Sequence, residues 1–150
     1  MPKISPLRIL LADDDKDDHY LFTHAIREFD SDIFIETVND GVELIEFLNN
    51  NSNEKPDIVF LDLNMPRKNG IDSLREIRAT EKLKDLPIVV CSTGDVESNI
   101  NATYTSGGNL YLQKPYSLSE LVKSMENILG LCKAGKFPQF PRQHYFYKHG

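Results

Sequence analysis

The sequence is poor in the residues that mark several protein classes. Tryptophan is absent, and only two cysteines occur, Cys91 and Cys132, with no CxxC pair between them. That excludes a disulfide-built scaffold and leaves two reduced thiols as the expectation. No apolar run approaches the roughly 20 residues a membrane-spanning helix needs. The run nearest the start is interrupted by Arg8 and stops at Asp13, too short for the core of a secretory signal. Basic residues are scarce as well: 17 Lys and Arg stand against 23 Asp and Glu, a formal net charge of −6. A dedicated nucleic-acid binder needs a basic face to neutralise phosphates, so this balance argues against that class. These absences lead us to expect a soluble, cytoplasmic protein that binds neither nucleic acid nor membrane.

What is present is ordinary globular composition. The chain has 150 residues, 40% hydrophobic and 27% charged. One domain of that size hides roughly 70% of the surface its unfolded form exposes, which is enough for a real core. The charge is unevenly spread. Residues 131–150 hold Lys133, Lys136, Arg142 and Lys148 and no acid, so this tail carries +4 against a total of −6, and residues 1–130 carry −10. The tail also holds Phe137, Phe140, Tyr145, Phe146 and Tyr147. The shift at Gly130 divides the chain into a domain over 1–130 and a basic, aromatic extension over 131–150. The prolines of the extension forbid a continued helix. We expect an extended arm on the domain's own surface, or aromatics that anchor a homodimer or another partner.

Five short apolar runs, at residues 7–12, 33–38, 58–61, 88–91 and 110–112, alternate with amphipathic stretches. Four of the runs are nearly continuous in apolar residues, as strands covered on both faces are. The second is mixed, which suits an edge. The stretches between have helical period: Leu21, Phe22, Ala25, Ile26 and Phe29; Val42, Leu44, Ile45 and Leu48; Ile71, Leu74, Ile77 and Arg78; a weak one through Val96, Ile100 and Tyr104; and Leu118, Leu121, Val122, Met125 and Leu129, with Ser117 as its cap and Gly130 as its stop. Five βα units in one small domain predict an α/β fold, a flavodoxin-like doubly wound five-stranded parallel sheet of order 2-1-3-4-5. Such sheets bind ligands beyond the carboxyl ends of their strands.

Those ends carry the chemistry. The first strand ends in Asp13-Asp14-Asp15, the third in Asp62, the fourth in Ser92-Thr93-Gly94 and the fifth in Lys114-Pro115. Two like charges 4 Å apart at an effective dielectric near 20 repel by about 4 kcal/mol, so carboxylates gathered this closely need a cation. All-oxygen ligation by Asp favours a hard ion, Mg²⁺ or Ca²⁺. A carboxylate can itself attack phosphorus to give an aspartyl-phosphate, with metal ion and Lys stabilising the transferred charge. Asp15 and Asp17 read as caps or first-turn acids of the following helix, and Asp18 is given no part in the chemistry.

This combination, with Asp-Leu-Asn-Met-Pro-Arg-Lys-Asn-Gly around Asp62, resembles the receiver domain of two-component response regulators, of the single-domain type, over about residues 7–130. The resemblance implies that Asp62 is the phosphoacceptor. It implies that Asp13, Asp14, Asp62 and the backbone carbonyl of Asn64 hold Mg²⁺. Lys114 would contact the phosphoryl group, with a cis bond before Pro115. Ser92 would be the switch hydroxyl and Tyr111 the switch aromatic. The donor would be a sensor histidine kinase, of the phytochrome type or a hybrid. The phosphorylated domain would signal in trans to a protein target through the face made by helix four, strand five and helix five. Such a protein is not an enzyme toward other substrates, but it catalyses its own Mg²⁺-dependent phosphorylation and dephosphorylation.

Other readings of the acidic segment fare worse. As an EF-hand loop starting at Asp13 it has Asp18 where Gly is needed and His24 where Glu is needed. A dinucleotide site wants a glycine-rich first turn, and here that turn is a block of negative charge. Two alternatives stay open: a binding scaffold that keeps the fold without phosphate, and a haloacid-dehalogenase-type phosphatase. Against the phosphatase, Asn64 stands where its second Asp would be, and the acidic pair precedes Asp62 in the chain instead of following it.

Overall fold

The computed structural model describes residues 6–135 and 137–147. Lys136 and Lys148, two of the extension's four cations, lie outside them. The order of elements is β1 (Arg8–Ala12), α1 (Lys16–Phe29), β2 (Phe34–Val38), α2 (Gly41–Asn49), β3 (Ile58–Asp62), α3 (Gly70–Ala79), β4 (Ile88–Ser92), α4 (Glu97–Thr105), β5 (Leu110–Gln113), α5 (Leu118–Lys133), α6 (Arg142–Tyr145) and β6 (Phe146–Tyr147). All strand pairs are parallel, in the order β2-β1-β3-β4-β5-β6.

The continuous apolar runs become the strands buried on both faces. Every residue of β3 and β4 is buried, whereas β2 at the edge buries only Val38. Alternate side chains divide the core into two layers. Ile9, Leu11, Phe60, Val89, Cys91 and Leu112 pack with α1 and α5 through Phe22, Ile26, Leu121, Met125 and Ile128. Leu10, Ala12, Val59, Leu61, Ile88, Val90 and Tyr111 face α2, α3 and α4 through Leu44, Leu48, Leu74, Ile77 and Ile100. Four helices start on a side chain that accepts a backbone N–H: Asp15 from Asp17, Asp40 from Glu43, Asn69 from Asp72 and Ser117 from Glu120. Each satisfies a donor the helix leaves orphaned. The helix α4 begins at Val96 with no such cap, and it buries only Ile100 and Thr103. It is the weakest of the long helices, in keeping with its weak pattern in the sequence.

Three expectations are corrected. The sheet has six strands, because Phe146 and Tyr147 pair in register with Tyr111 and Leu112. A two-residue strand has no period to read, and it exists here because β5 offers an edge and the extension returns to it. The helix α5 does not stop at Gly130 but continues to Lys133, ending on Ala134 and on Gly135 at φ +80°. A glycine inside a helix weakens it without blocking it, and Cys132 extends the buried stripe by one turn. The bond before Pro115 is trans, as are all described peptide bonds.

Gly70 sits against the strand that ends in Asp62. A Cβ there would lie 2.6 Å from the Asp62 carbonyl oxygen and 2.9 Å from Leu63 Cα, both backbone atoms that cannot swing aside. Gly70→Ala is therefore expected to lower stability by about 1–3 kcal/mol, read as a fall in the urea midpoint with an unchanged slope.

Candidate functional site

The parallel sheet brings the ends of β1, β3, β4 and β5 to one rim. Asp13 and Asp62 are buried there, each with 7% of its surface exposed, while Asp14 beside them is exposed. One carboxylate oxygen from each of Asp13, Asp14 and Asp62 lies within 4.8 Å of the others. Lys114, just past β5, reaches into this group. Its Nζ lies 2.9 Å from Asp13 Oδ2, 3.0 Å from Asp62 Oδ1 and 2.7 Å from Asp18 Oδ2. The backbone of Lys114 is fixed by its N–H, which donates to the Ser92 carbonyl at 2.7 Å. Asp13 is oriented by the Asp15 N–H, which donates to its Oδ1 at 2.9 Å.

Burial and crowding set the charge balance. Burial pushes the Asp62 carboxyl up, the Lys114 charge pulls it down and Asp13 pushes it up again, leaving it at about 6. Asp13 is also raised, chiefly by burial. Burial alone would lower Lys114, but Asp18, Asp62 and Asp13 outweigh it and hold the ammonium above its ordinary range. Asp13, Asp18 and Asp62 thus share one cation from the chain, and the Asp14 carboxylate lies close to those of Asp13 and Asp62. The donor set is all oxygen and its negative charge is uncompensated, which fits a hard divalent cation. Asp13, Asp14 and Asp62 are the side chains that would hold it. Asn64, two residues past Asp62, is exposed on the loop that follows β3.

That loop is held rigid. Arg67 adopts φ +61°, uncommon for a residue with a side chain. Its Nε donates to Asp40 Oδ2 at 2.8 Å, tying the loop to the start of α2. The Gly41 N–H donates to the Lys68 carbonyl at 3.1 Å and the Gly70 N–H to the Leu63 carbonyl at 3.0 Å. With Met65 buried beneath it, the loop has little freedom to move Asn64 relative to Asp62.

Ser92 and Tyr111 sit at the same end of the sheet, one step away. Asp62 pairs in register with Cys91, so Ser92 is the next residue on the adjacent strand. The Ser92 hydroxyl is buried and accepts the Gly94 N–H at 3.3 Å. Tyr111 is fully buried, and its hydroxyl donates to the Gly94 carbonyl at 3.1 Å. Burial raises its phenol, and the Ser92 hydroxyl beside it opposes that rise. Both residues therefore hold the same turn after β4. Asp18 was missed by the sequence reading. It stands in the first turn of α1, where an acid is ordinarily explained by the helix itself, so the sequence carried no separate signal for it.

The chain has relatives among known proteins. A model of the response regulator receiver domain matches residues 9–126. Response regulator MprA of Mycobacterium sp. (strain KMS) is 35% identical over 143 residues, covering 91% of this chain, and the chain spans about half of that relative, 56%. Response regulator Rcp1 of Synechocystis sp. is 32% identical over 127 residues, covering 82% of this chain and 86% of the relative. The Mn²⁺-bound crystal structure of Rcp1 superposes with a TM-score of 0.75 over 82% of this chain and 91% of that one. The phosphorylated cyanobacterial phytochrome response regulator RcpA gives a TM-score of 0.78 at 33% identity, over 85% and 94%.

The raised Asp62 carboxyl has a consequence for stability. The folded chain holds this proton more tightly than the unfolded chain, where the ordinary value is 3.8. Ionised Asp62 therefore opposes folding, fully so above about pH 6, and the penalty fades as pH falls toward 4. In metal-free buffer, Asp62→Asn is expected to be more stable than the parent at pH 8, by about 3 kcal/mol, with the gain lost near pH 4. Thermal unfolding in chelator across that range measures it.

Proposed function

The chain belongs to the response regulator receiver family, and from that premise we propose that it is a phosphorylation-dependent switch whose acceptor is Asp62. The observation that carries this reading is the buried Asp62 carboxylate, held 3.0 Å from Lys114 Nζ, with oxygens of Asp13 and Asp14 within 4.8 Å of its own. The proposed donor is the phospho-imidazole of a sensor histidine kinase. A carboxylate oxygen of Asp62 forms a bond to phosphorus as the phosphorus–nitrogen bond breaks, and the electron pair of that bond stays on the imidazole. Lys114 holds its ammonium against the side of the acceptor where the phosphoryl charge arrives. Asp18 and Asp13 fix that ammonium in place before the donor comes. Ser92 is the hydroxyl proposed to follow the new phosphoryl oxygens, and Tyr111 the aromatic that follows Ser92.

The cation is proposed to be Mg²⁺; Asp13, Asp14, Asp62 and the Asn64 carbonyl would hold it, and when bound it would supply positive charge to the phosphoryl oxygens. The same residues are proposed to catalyse loss of the phosphoryl group to water. The burial of Asp13, Asp62 and Lys114 supports this reading, since a low-dielectric site strengthens each of these interactions. The protein is proposed to act in the cytoplasm; among the described residues no helix is long and apolar enough to cross a membrane.

The partner assignments are proposals of the same kind: a kinase of the phytochrome type or a hybrid, a protein target reached in trans through the α4–β5–α5 face, and a second copy of the chain. The likeness to RcpA supports the first. The position of Tyr111 on β5, bonded to the turn that precedes α4, supports the second. The third meets a face that the chain's own extension already covers in part, since Phe137, Phe140 and Tyr147 pack against one core layer and Tyr145 and Phe146 against the other. The division into a receiver over 1–130 and an extension over 131–150 remains part of this proposal.

The scaffold alternative predicts no covalent chemistry at Asp62. Incubation with a small-molecule phosphodonor and Mg²⁺ separates the two readings. We expect a mass gain of one phosphoryl group that alkali removes and that Asp62→Asn abolishes. Lys114→Ala should slow the labelling by about 10²-fold. No gain in folded, Mg²⁺-loaded protein would leave the scaffold.

A further inference from the structure

The extension after α5 does more than cover the sheet edge. Tyr145 is completely buried, although it lies twelve residues past Lys133, where α5 ends. Its hydroxyl donates to Thr103 Oγ1 on α4 at 2.9 Å. Its ring stands edge-on to Tyr104 at 5.2 Å and tilted against Tyr111 at 6.4 Å. Phe146 meets Tyr111 as well, at 5.8 Å, and is its register partner across the β5–β6 pair.

The receiver body is shaped to take this segment. A Cβ at Gly108 would collide with the Tyr145 hydroxyl, so the residue without a side chain stands where that phenol enters. Asn109 donates to the Pro138 carbonyl at 3.2 Å and accepts the Phe140 N–H on its own carbonyl at 3.1 Å. Arg142 binds Asn101 on α4 at 2.7 Å and pairs with Glu97 there. Two rings of the extension therefore press on Tyr111, and other contacts fasten it to α4, the one long helix that lacks a side-chain cap.

We propose that residues 137–147 form an intrachain latch that holds Tyr111 buried, with Tyr145 as its positioning residue. The proposal rests on the reading of Asp62 as phosphoacceptor. Through Tyr111 the latch acts on Gly94, and so on the turn that Ser92 begins. A docked latch and a phosphoryl group on Asp62 then favour the same inward Tyr111, and their coupling is reciprocal: each strengthens the other. The extension acts as a built-in effector whose release loosens α4 and the turn after β4 together.

The test uses the full chain. Beryllofluoride with Mg²⁺ serves as the phosphoryl mimic, and a fluorotyrosine resonance reports Tyr111. In the parent protein the mimic should slow hydrogen exchange of the amides in residues 142–147 by about 5–10-fold. Tyr145→Ala should give Tyr111 a second, solvent-exposed resonance that the mimic collapses back to the buried one, and should slow labelling of Asp62 several-fold. Tyr145→Phe keeps the ring and should recover most of the rate, an outcome that a loss of general stability does not produce. The latch is overturned if Asp62 is labelled normally while exchange in 142–147 ignores the mimic. It is equally overturned if folded Tyr145→Ala labels at the parent rate. Protection that grows with protein concentration would place the segment on a second copy and also reject it. Absence of labelling in the parent chain is a separate result, since it removes the acceptor reading itself.

Discussion

One ammonium group holds the rim together. Lys114 reaches three carboxylates from three places in the chain: Asp13 after β1, Asp18 on α1 and Asp62 at the end of β3. Without that charge the carboxylates would face one another in a partly dehydrated site, where repulsion between each pair is worth several kcal/mol. With it they remain mutually close yet short of neutral. A fully neutral site would have no call on a divalent cation, and a site with no internal cation would have to be held apart. The intermediate condition is what the geometry provides. With burial, it also accounts for the rise of the Asp62 carboxyl to about 6, which leaves it mostly ionised at neutral pH.

The rim was legible in the sequence because parallel strands place their chemistry at fixed points. An apolar run buried on both faces must end where polar residues begin, and in this chain those residues are Asp13, Asp62, Ser92 and Lys114. Topology then gathers them, since all the strands of one parallel sheet end on the same side. The two core layers were legible for a related reason: burial on both faces erases alternation and leaves continuous runs. Asp18 was not legible, because an acid in the first turn of a helix is usually explained by the helix itself. Only the reach of Lys114 gives it a partner, and that depends on tertiary structure.

The extension shows the opposite case. Its prolines and aromatics said what it could not do, namely continue as a helix. They did not say where it would go, because Tyr145 has no period and no neighbours in sequence to reveal a buried face. Its place is set by features far away in the chain, the missing side chain at Gly108 and the hydroxyl of Thr103. Gly130 misled for a simpler reason. It is tolerated inside α5 because Ile128, Leu129 and Cys132 bury the same face on either side of it.

The two regions meet at the turn after β4. From one side, the proposed phosphoryl chemistry reaches it through Ser92. From the other, the extension reaches it through Tyr111, whose hydroxyl ends on Gly94. The helix that follows, α4, starts without a side-chain cap and buries little, so its position costs little to change. A strongly charged, tightly braced rim and a weakly held helix are thus joined by one short turn. On the proposed reading, that contrast is what converts a local charge event into a change of surface: the rim cannot relax, so the response passes to the element with the least holding it. A partner that approaches this face meets Arg142 and Phe146 together with α4, and its affinity would depend on whether the extension is docked.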